Sequence, residues 1–595
     1  MTEFFAALKR RQMFRVAAAY AVVAWLLLQV VNNVAPVLDL PVWVARAFLL
    51  LLAIGFPITL LLSWARDQAP PGAAPKAATT KFDYVLAGGL AAVIALLLYQ
   101  QLTQSSGPGS VQPQQNDVLS IAVLPLANLS GDNTQEFFSD GMTDEITSAL
   151  AKIRDFRVVG RSSAFQFKGQ NRDLRAIGQA LSARYLIDGS VRKVGTRVRI
   201  TAQLIEASNG VNVWTENYDR ELIDVFAIQE DIAEAIASAL RVPLGLQQGE
   251  TVVRNRTNNT ASYDDYLRAK QMVRTRGLRT ITDAAAILEQ VVARDPDYAP
   301  AWALLSEAYA ATPNFHPSWT GGNVAEARSI VNASVPKAEA AALKSLQIDP
   351  NLGSGHGALG YSHEVRGNLL MAEELYLKAL ASDPNSPDFL NYYSQLLAKV
   401  GRLKESLALR ERLQVLEPFV PVFHNNTAGV LWLNGQTDAA IEMLRAGQAG
   451  ARAFDLARIY ASVGRYAEAA DTLLEIPAGA DAPGTLEETV RLLRIAAANG
   501  ASSASPGPLK LNRLGFVHVY LGDPARVLEF YEDNAESGYF SSAAPSRVWH
   551  SSYAPARKTE RFKALVRKMG LIGYWRAKGW PEFCRPTTGD DFECN

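Results

Sequence analysis

The chain has 595 residues, 48% of them apolar, with 59 Lys and Arg balanced by 59 Asp and Glu. That length allows several cores, and the even charge gives no reason to expect the net basic face that phosphate backbones select, so no nucleic-acid partner is expected. Only two cysteines occur, Cys584 and Cys594, both in the last dozen residues.

The first hundred residues are much more apolar than the rest. Three stretches, at about 14–34, 43–64 and 82–102, reach the ~20 largely apolar residues that a membrane crossing needs. The first could be a signal peptide, but no small-residue cleavage site follows it and a second apolar stretch comes within ten residues. Lys9, Arg10 and Arg11 precede the first stretch, and Arg66, Lys76 and Lys81 lie between the second and third. Basic residues stay on the cytoplasmic side. This pattern predicts three transmembrane helices in a bacterial inner membrane, with the lipid bilayer as one partner. The N-terminus is expected in the cytoplasm and residues after about 102 in the periplasm.

Residues 103–118, rich in Gln, Ser, Gly and Pro, read as a flexible linker. From 119 to 245 the patterns alternate as β-α-β-α-β-β-β-α. "SIAVLPLANL" is a short apolar strand, and "TRVRITAQLIE" alternates like a half-solvated one. Asp132, Asp140, Asp144 and Glu145 read as loop and cap acids at a helix start, with Asp140 as N-cap. Gly160-Arg161-Ser162-Ser163 is a turn able to hold an anion, without the glycine spacing of a phosphate loop.

The stretches "SIAVLPLANLSGD", "FFSDGMTDEITSAL", "ARYLIDGSVRKVGTRVRITAQLIEASNGVNVWTENYDREL" and "DVFAIQEDIAEAI" resemble the TolB amino-terminal-like domain of bacterial envelope proteins. "LKRRQMFRVAAAYAVVAWLLLQV" resembles the membrane segment ahead of this domain in its relatives. Those relatives often carry a cytoplasmic winged-helix or adenylate-cyclase domain before the membrane, where this chain has only a dozen residues. The resemblance implies a signalling component related to membrane adenylate cyclases or transmembrane transcriptional regulators, without its own catalytic or DNA-binding domain.

Beyond residue 260 the sequence repeats. Asp349-Pro350, Asp383-Pro384 and Glu417-Pro418 are 34 residues apart, as are Gly367, Gly401 and Gly435. That period is the tetratricopeptide (TPR) repeat of paired helices. Asp295-Pro296 sits 54 residues before Asp349, so one repeat carries an insertion in "ATPNFHPSWTGGNVAEARSI". An all-α TPR solenoid is expected over 260–540, with about six repeats and a degenerate pair in "KLNRLGFVHVYLGDPARVLEFYE". A C-terminal capping tail follows at 541–595, whose Trp575, Trp580 and Phe583 are expected to close the last repeat.

The fold class is thus multidomain: three transmembrane helices, an α/β domain and an all-α solenoid. Solenoids present a concave groove to partners. Asn391, Gln395, Lys399, Asn425 and Trp432 fall at groove-facing, exposed positions suited to protein or peptide partners. No nucleophile with a base, no metal-ligand spacing and no cofactor fingerprint appears. His356 and His363, seven apart, read as a solvated helix face. No enzyme activity, cofactor or metal is expected. The leading expectation is an inner-membrane-anchored periplasmic scaffold or sensor. On the periplasmic side, Cys584 and Cys594 could close a small disulfide loop or remain two free thiols; the disulfide is favoured.

Overall fold

The structure, a computed structural model, describes residues 119–595 apart from 154, 171–172, 243–256, 319–322, 448–451, 478, 480 and 541–544, together with Tyr20 and Leu52. Contacts divide the chain into two units, 1–114 and 115–595. The expected fold class needs correction. Among the described residues no helix is long and apolar enough to cross a membrane, and the second unit holds a small α/β domain and an all-α solenoid. The stretches 14–34, 43–64 and 82–102 lie outside the described residues, save Tyr20 and Leu52.

The α/β domain is a mixed sheet. Its strands are β1 (Leu119–Val123), β2 (Ala127–Asn128), β3 (Phe156–Val159), β4 (Tyr185–Val194), β5 (Arg197–Glu206) and β6 (Val211–Glu221). They run in the order β3-β1-β4-β5-β6, with β2 also on β4. β1 is parallel to β3 and β4, whereas β4-β5 and β5-β6 are antiparallel. Side chains alternate across a strand, and β1 uses both faces. Ile121 and Val123 enter one core with helices α1 (Glu136–Ala151) and α4 (Val225–Ala239); Ala122 and Leu124 enter another with α3 (Leu174–Leu181). Helix α2 (Arg161–Ala164) is a single turn after β3. α1 starts at Glu136, one turn before the expected cap Asp140, because Asp132 caps a preceding 3-10 turn by accepting from the Thr134 amide.

The solenoid contributes six antiparallel helix pairs among the described residues. They are α5 (Thr260–Thr275) with α6 (Leu278–Arg294), α7 (Ala299–Phe315) with α8 (Val324–Ile348), and α9 (Gly353–Val365) with α10 (Leu369–Ser382). Then come α11 (Pro387–Lys399) with α12 (Leu403–Leu416), α13 (Pro421–Leu433) with α14 (Thr437–Arg445), and α15 (Ala453–Ser462) with α16 (Tyr466–Leu473). Part of the inserted sequence goes into helix length: α8 has 25 residues. Gly367, Gly401 and Gly435 each turn within a pair at positive φ, a conformation a side chain disfavours. The acidic-proline turns between pairs are fixed in two ways, and the Asp349-Pro350 turn by both. Asp349 and Asp383 each accept an amide two residues on. The prolyl carbonyls are bound by a ring six residues later: Pro296 by Trp302, Pro350 by His356 and Pro418 by His424. His356 therefore supports a turn, and among the described residues no His/Cys/Asp/Glu group could hold a metal.

After α17 (Thr485–Asn499) the expected degenerate pair is instead 3-10 turns at Asn512–Val519 and Pro524–Val527, then α18 (Leu528–Ser537). The chain then folds back through α19 (Ala554–Arg557), α20 (Glu560–Lys568), α21 (Leu571–Lys578) and the hairpin β7 (Cys584–Pro586) with β8 (Phe592–Cys594). A disulfide joins Cys584 to Cys594 across that hairpin. The tail does not close the last repeat. Trp575 is buried and donates to the Val400 carbonyl, and Pro581 packs on Gly401, so the tail seats on the turn between α11 and α12.

Candidate functional site

The first helices of successive pairs line one face of the solenoid, here called the inner face, and the structure divides it into two halves. The half towards the C-terminal ends of these helices is filled by the chain's own returning segment. Tyr539 is buried, its hydroxyl against that of Tyr361; the Phe540 amide donates to the Val365 carbonyl. Trp549, fully buried, donates its indole N–H to the Lys399 carbonyl. The His550 ring stacks on Trp432 with centroids 3.9 Å apart. Arg547 lies against Gly429, where an added Cβ would stand 3.0 Å from the guanidinium, and reaches Asp455 at 3.3 Å.

This overturns the exposure expected for three groove residues. Asn391, Lys399 and Trp432 are 3%, 0% and 1% exposed. Lys399 Nζ donates to Glu364 Oε1 and the Phe540 carbonyl, both at 2.9 Å, so the cation is compensated inside the protein. Asn391 accepts from Arg410 and Asn426, and the Trp432 indole donates to Ser462. Gln395 and Asn425 are half-buried. Repeat spacing finds the inner face, but nothing in it signals that a segment 150 residues later will cover that face.

The other half stays open as a cavity of ≈1430 Å³. Its walls are the first helices α5, α7, α9, α11 and α13, the end of α10 through Lys378 and Ser382, and α1 of the α/β domain through Glu145, Ser148 and Lys152. Two links hold these walls together. At the first, Lys270 of α5 pairs with Asp144 and Glu145 at 2.7 Å each, and Arg274 with Asp144 at 3.1 Å. Burial opposes ionisation of Asp144, yet Arg274, Lys270 and Arg161 together hold its carboxyl well below the usual carboxylate range. Asp144 thus sits inside α1 as an anchor rather than at a helix start. α5 also shares the sheet's apolar core through Tyr263, Tyr266 and Leu267.

At the second link the anion-holding turn is occupied by the protein itself. Glu417 accepts from the Ser162 amide (3.1 Å) and the Ser163 amide (2.7 Å), and the Gly160 amide donates to the Leu416 carbonyl. A Cβ on Gly160 would overlap the Glu417 side chain at 2.2 Å, so only glycine permits this approach. Burial pushes the Glu417 carboxyl up to about 7, against the pull of those donors. Phe419 packs edge-on against Phe167. The signal was in the sequence: where the other turns read Asp-Pro, this one reads Glu-Pro. The extra methylene carries the carboxylate out of its own turn to the α/β domain.

Inside the cavity Tyr361 and Tyr392 stack, centroids 5.1 Å apart, and the Tyr392 hydroxyl donates to Glu307 Oε1 at 2.8 Å. Burial, with the nearby Asp388 carboxylate adding to it, raises the Glu307 carboxyl above its ordinary range; Tyr392, Arg274 and Arg276 pull the other way.

Residues 375–408 match the tetratricopeptide repeat family. A stretch of 191 residues is 37% identical to "Putative adenylate cyclase 3" of Rhizobium meliloti (strain 1021), covering 32% of this chain and 32% of that protein. The chain therefore spans about a third of that relative's length. Among solved structures, a thermophilic TPR protein of Thermus thermophilus is 20% identical over 35% of this chain and 95% of its own, with TM-score 0.25. YrrB, described as a TPR protein with an unusual peptide-binding site, is 19% identical over 32% of this chain and 89% of its own, with TM-score 0.22. The chain carries tetratricopeptide repeats.

Proposed function

We propose that this chain is a protein-interaction scaffold whose open inner cavity receives a segment of a protein partner. The carrying observation is the division of the inner face: one half is core, covered by residues 539–540 and 545–557, and the other is a cavity larger than the ~300–1,000 Å³ of small-molecule pockets. An extended peptide suits that space. The order of strands and helices in 119–242 supports reading the α/β domain as TolB amino-terminal-like, with the cavity lying between it and the repeats. The Cys584–Cys594 disulfide supports an oxidising compartment for this part of the chain, the bacterial periplasm. Kinship with adenylate cyclases, supported by the 37% identity over 191 residues, favours a signalling setting for the scaffold.

The test is site-specific photo-crosslinking in cells. A photoreactive amino acid at Ser354, on the cavity wall, should give discrete protein adducts, and one at Ser552, beside the covered half, should not. Adducts from Ser552 alone would move the partner site to the half that is core in the structure.

A further inference from the structure

The covered half of the inner face shows what kind of side chain this surface accepts. There the segment that lies on α11 and α13 presents Arg547. Its guanidinium fits over the bare Cα of Gly429 and ends on Asp455 in the first turn of α15, while also lying near Arg458, which pairs with the same carboxylate at 2.9 Å. An inner-face carboxylate at a helix start thus receives an arginine from a segment crossing the groove.

The open half offers a matching set of acids. Asp388 stands in the first turn of α11 and Glu307 on α7, beside the stacked rings of Tyr361 and Tyr392. Lys270 and Arg274 of α5 make their ion pairs with Asp144 and Glu145 across the α1 wall, and Arg274 and Arg276 act on Glu307 from beyond ion-pair distance. Arg276, Lys152 and Lys378 are exposed residues of the cavity lining. The Glu307 carboxylate accepts the Tyr392 hydroxyl, which leaves further lone pairs for a donor. Tyr392 is stacked by both Tyr361 and Tyr376, so its ring fixes the position of the Glu307 carboxylate, and the two acids supply the charge that a guanidinium or ammonium group pairs with.

We infer that the partner segment carries an arginine or lysine that enters the cavity between Glu307, Asp388 and the Tyr361–Tyr392 stack. The inference rests on the peptide-binding reading above and adds the chemistry of the bound residue.

The experiment uses the whole chain and four fluorescent Gly/Ala peptides of equal length that differ only at the central position: Arg, Lys, Ala or Glu. Binding is read by anisotropy, and site of binding by photo-crosslinking from position 354. The Arg and Lys peptides should bind best. Glu307→Gln and Asp388→Asn should each weaken the Arg peptide by about tenfold or more, the size of a lost hydrogen bond to a charged group. Neither should move the Ala peptide or the thermal transition by a comparable amount. Equal binding of all four peptides, still crosslinked at 354, would overturn the basic-residue inference and leave the peptide-binding reading standing. Preference for the Glu peptide would overturn it in favour of Arg276, Lys152 and Lys378. No binding by any peptide counts against the inference, and the in-cell crosslinking above then decides the wider reading separately.

Discussion

The two halves of the inner face come from the same repeat, yet one became core and the other cavity. In the covered half a returning segment supplies Tyr539, Trp549 and Tyr553, all nearly or fully buried, and the buried Lys399 cation has its internal partner in Glu364. In the open half the cover is helix α1 of the α/β domain, tied to the repeats through Asp144 on one side and Glu417 on the other. Position in a repeat fixes which way a residue faces. What lies opposite decides whether it meets solvent, a ligand or the protein's own chain.

The sharpest way to break this contrast is Trp549→Ala. Removing a fully buried indole should lower stability by about 3–5 kcal/mol in urea unfolding. A loss below about 1 kcal/mol would mean the segment sits loosely and the covered half is available to partners. Glu417→Ala comes next. It strands the Ser162 and Ser163 amides, at a cost of about 1–3 kcal/mol. Hydrogen exchange should rise at 160–163 while 545–557 stay protected; uniform exchange across both halves would count against independent closure.

Acid should separate the halves further. Burial lowers the His518 and His550 imidazoles to about 4, below the ordinary 6.5. Because the folded state holds them neutral, the unfolded chain takes up protons first. Stability is therefore lost as pH falls from 6.5 towards 4. Near-ultraviolet circular dichroism from Trp432 and Trp549 should weaken in that window, and a His550→Phe variant should weaken less. An unchanged midpoint for that variant would remove His550 from the cause. The smallest effect belongs to Ser354→Ala on the cavity wall, expected within about 0.5 kcal/mol of the parent by thermal melting.

Much of this architecture can be read from spacing. The 34-residue interval of the acidic-proline pairs sets the helix pairs, and the in-step glycines mark their inner turns. Alternation in "TRVRITAQLIE" marks β5 as a half-buried strand. The turn at Gly160–Ser163 could be recognised as an anion site, but the anion is 254 residues further along the chain, on Glu417, and local pattern carries no information about so distant a partner. The same limit explains Asn391, Lys399 and Trp432. Their helical phase is visible in the sequence; the segment that covers them is not. Glu307 escaped notice because it is an ordinary helix acid until Tyr392, from a helix two pairs on, is brought beside it.

Glu417 has one consequence beyond docking. A row of repeats is close to a one-dimensional lattice, in which each unit feels mainly its neighbours and ends can fray while the middle holds. Tying residue 417 of that row to residues 160–163 of the α/β domain closes a loop in the chain, with helices α5 to α12 inside it. Long-range closure of this kind forms late and slowly. Once made, it removes the freedom of the first four repeats to fray one at a time, so they stand or melt together with the α/β domain.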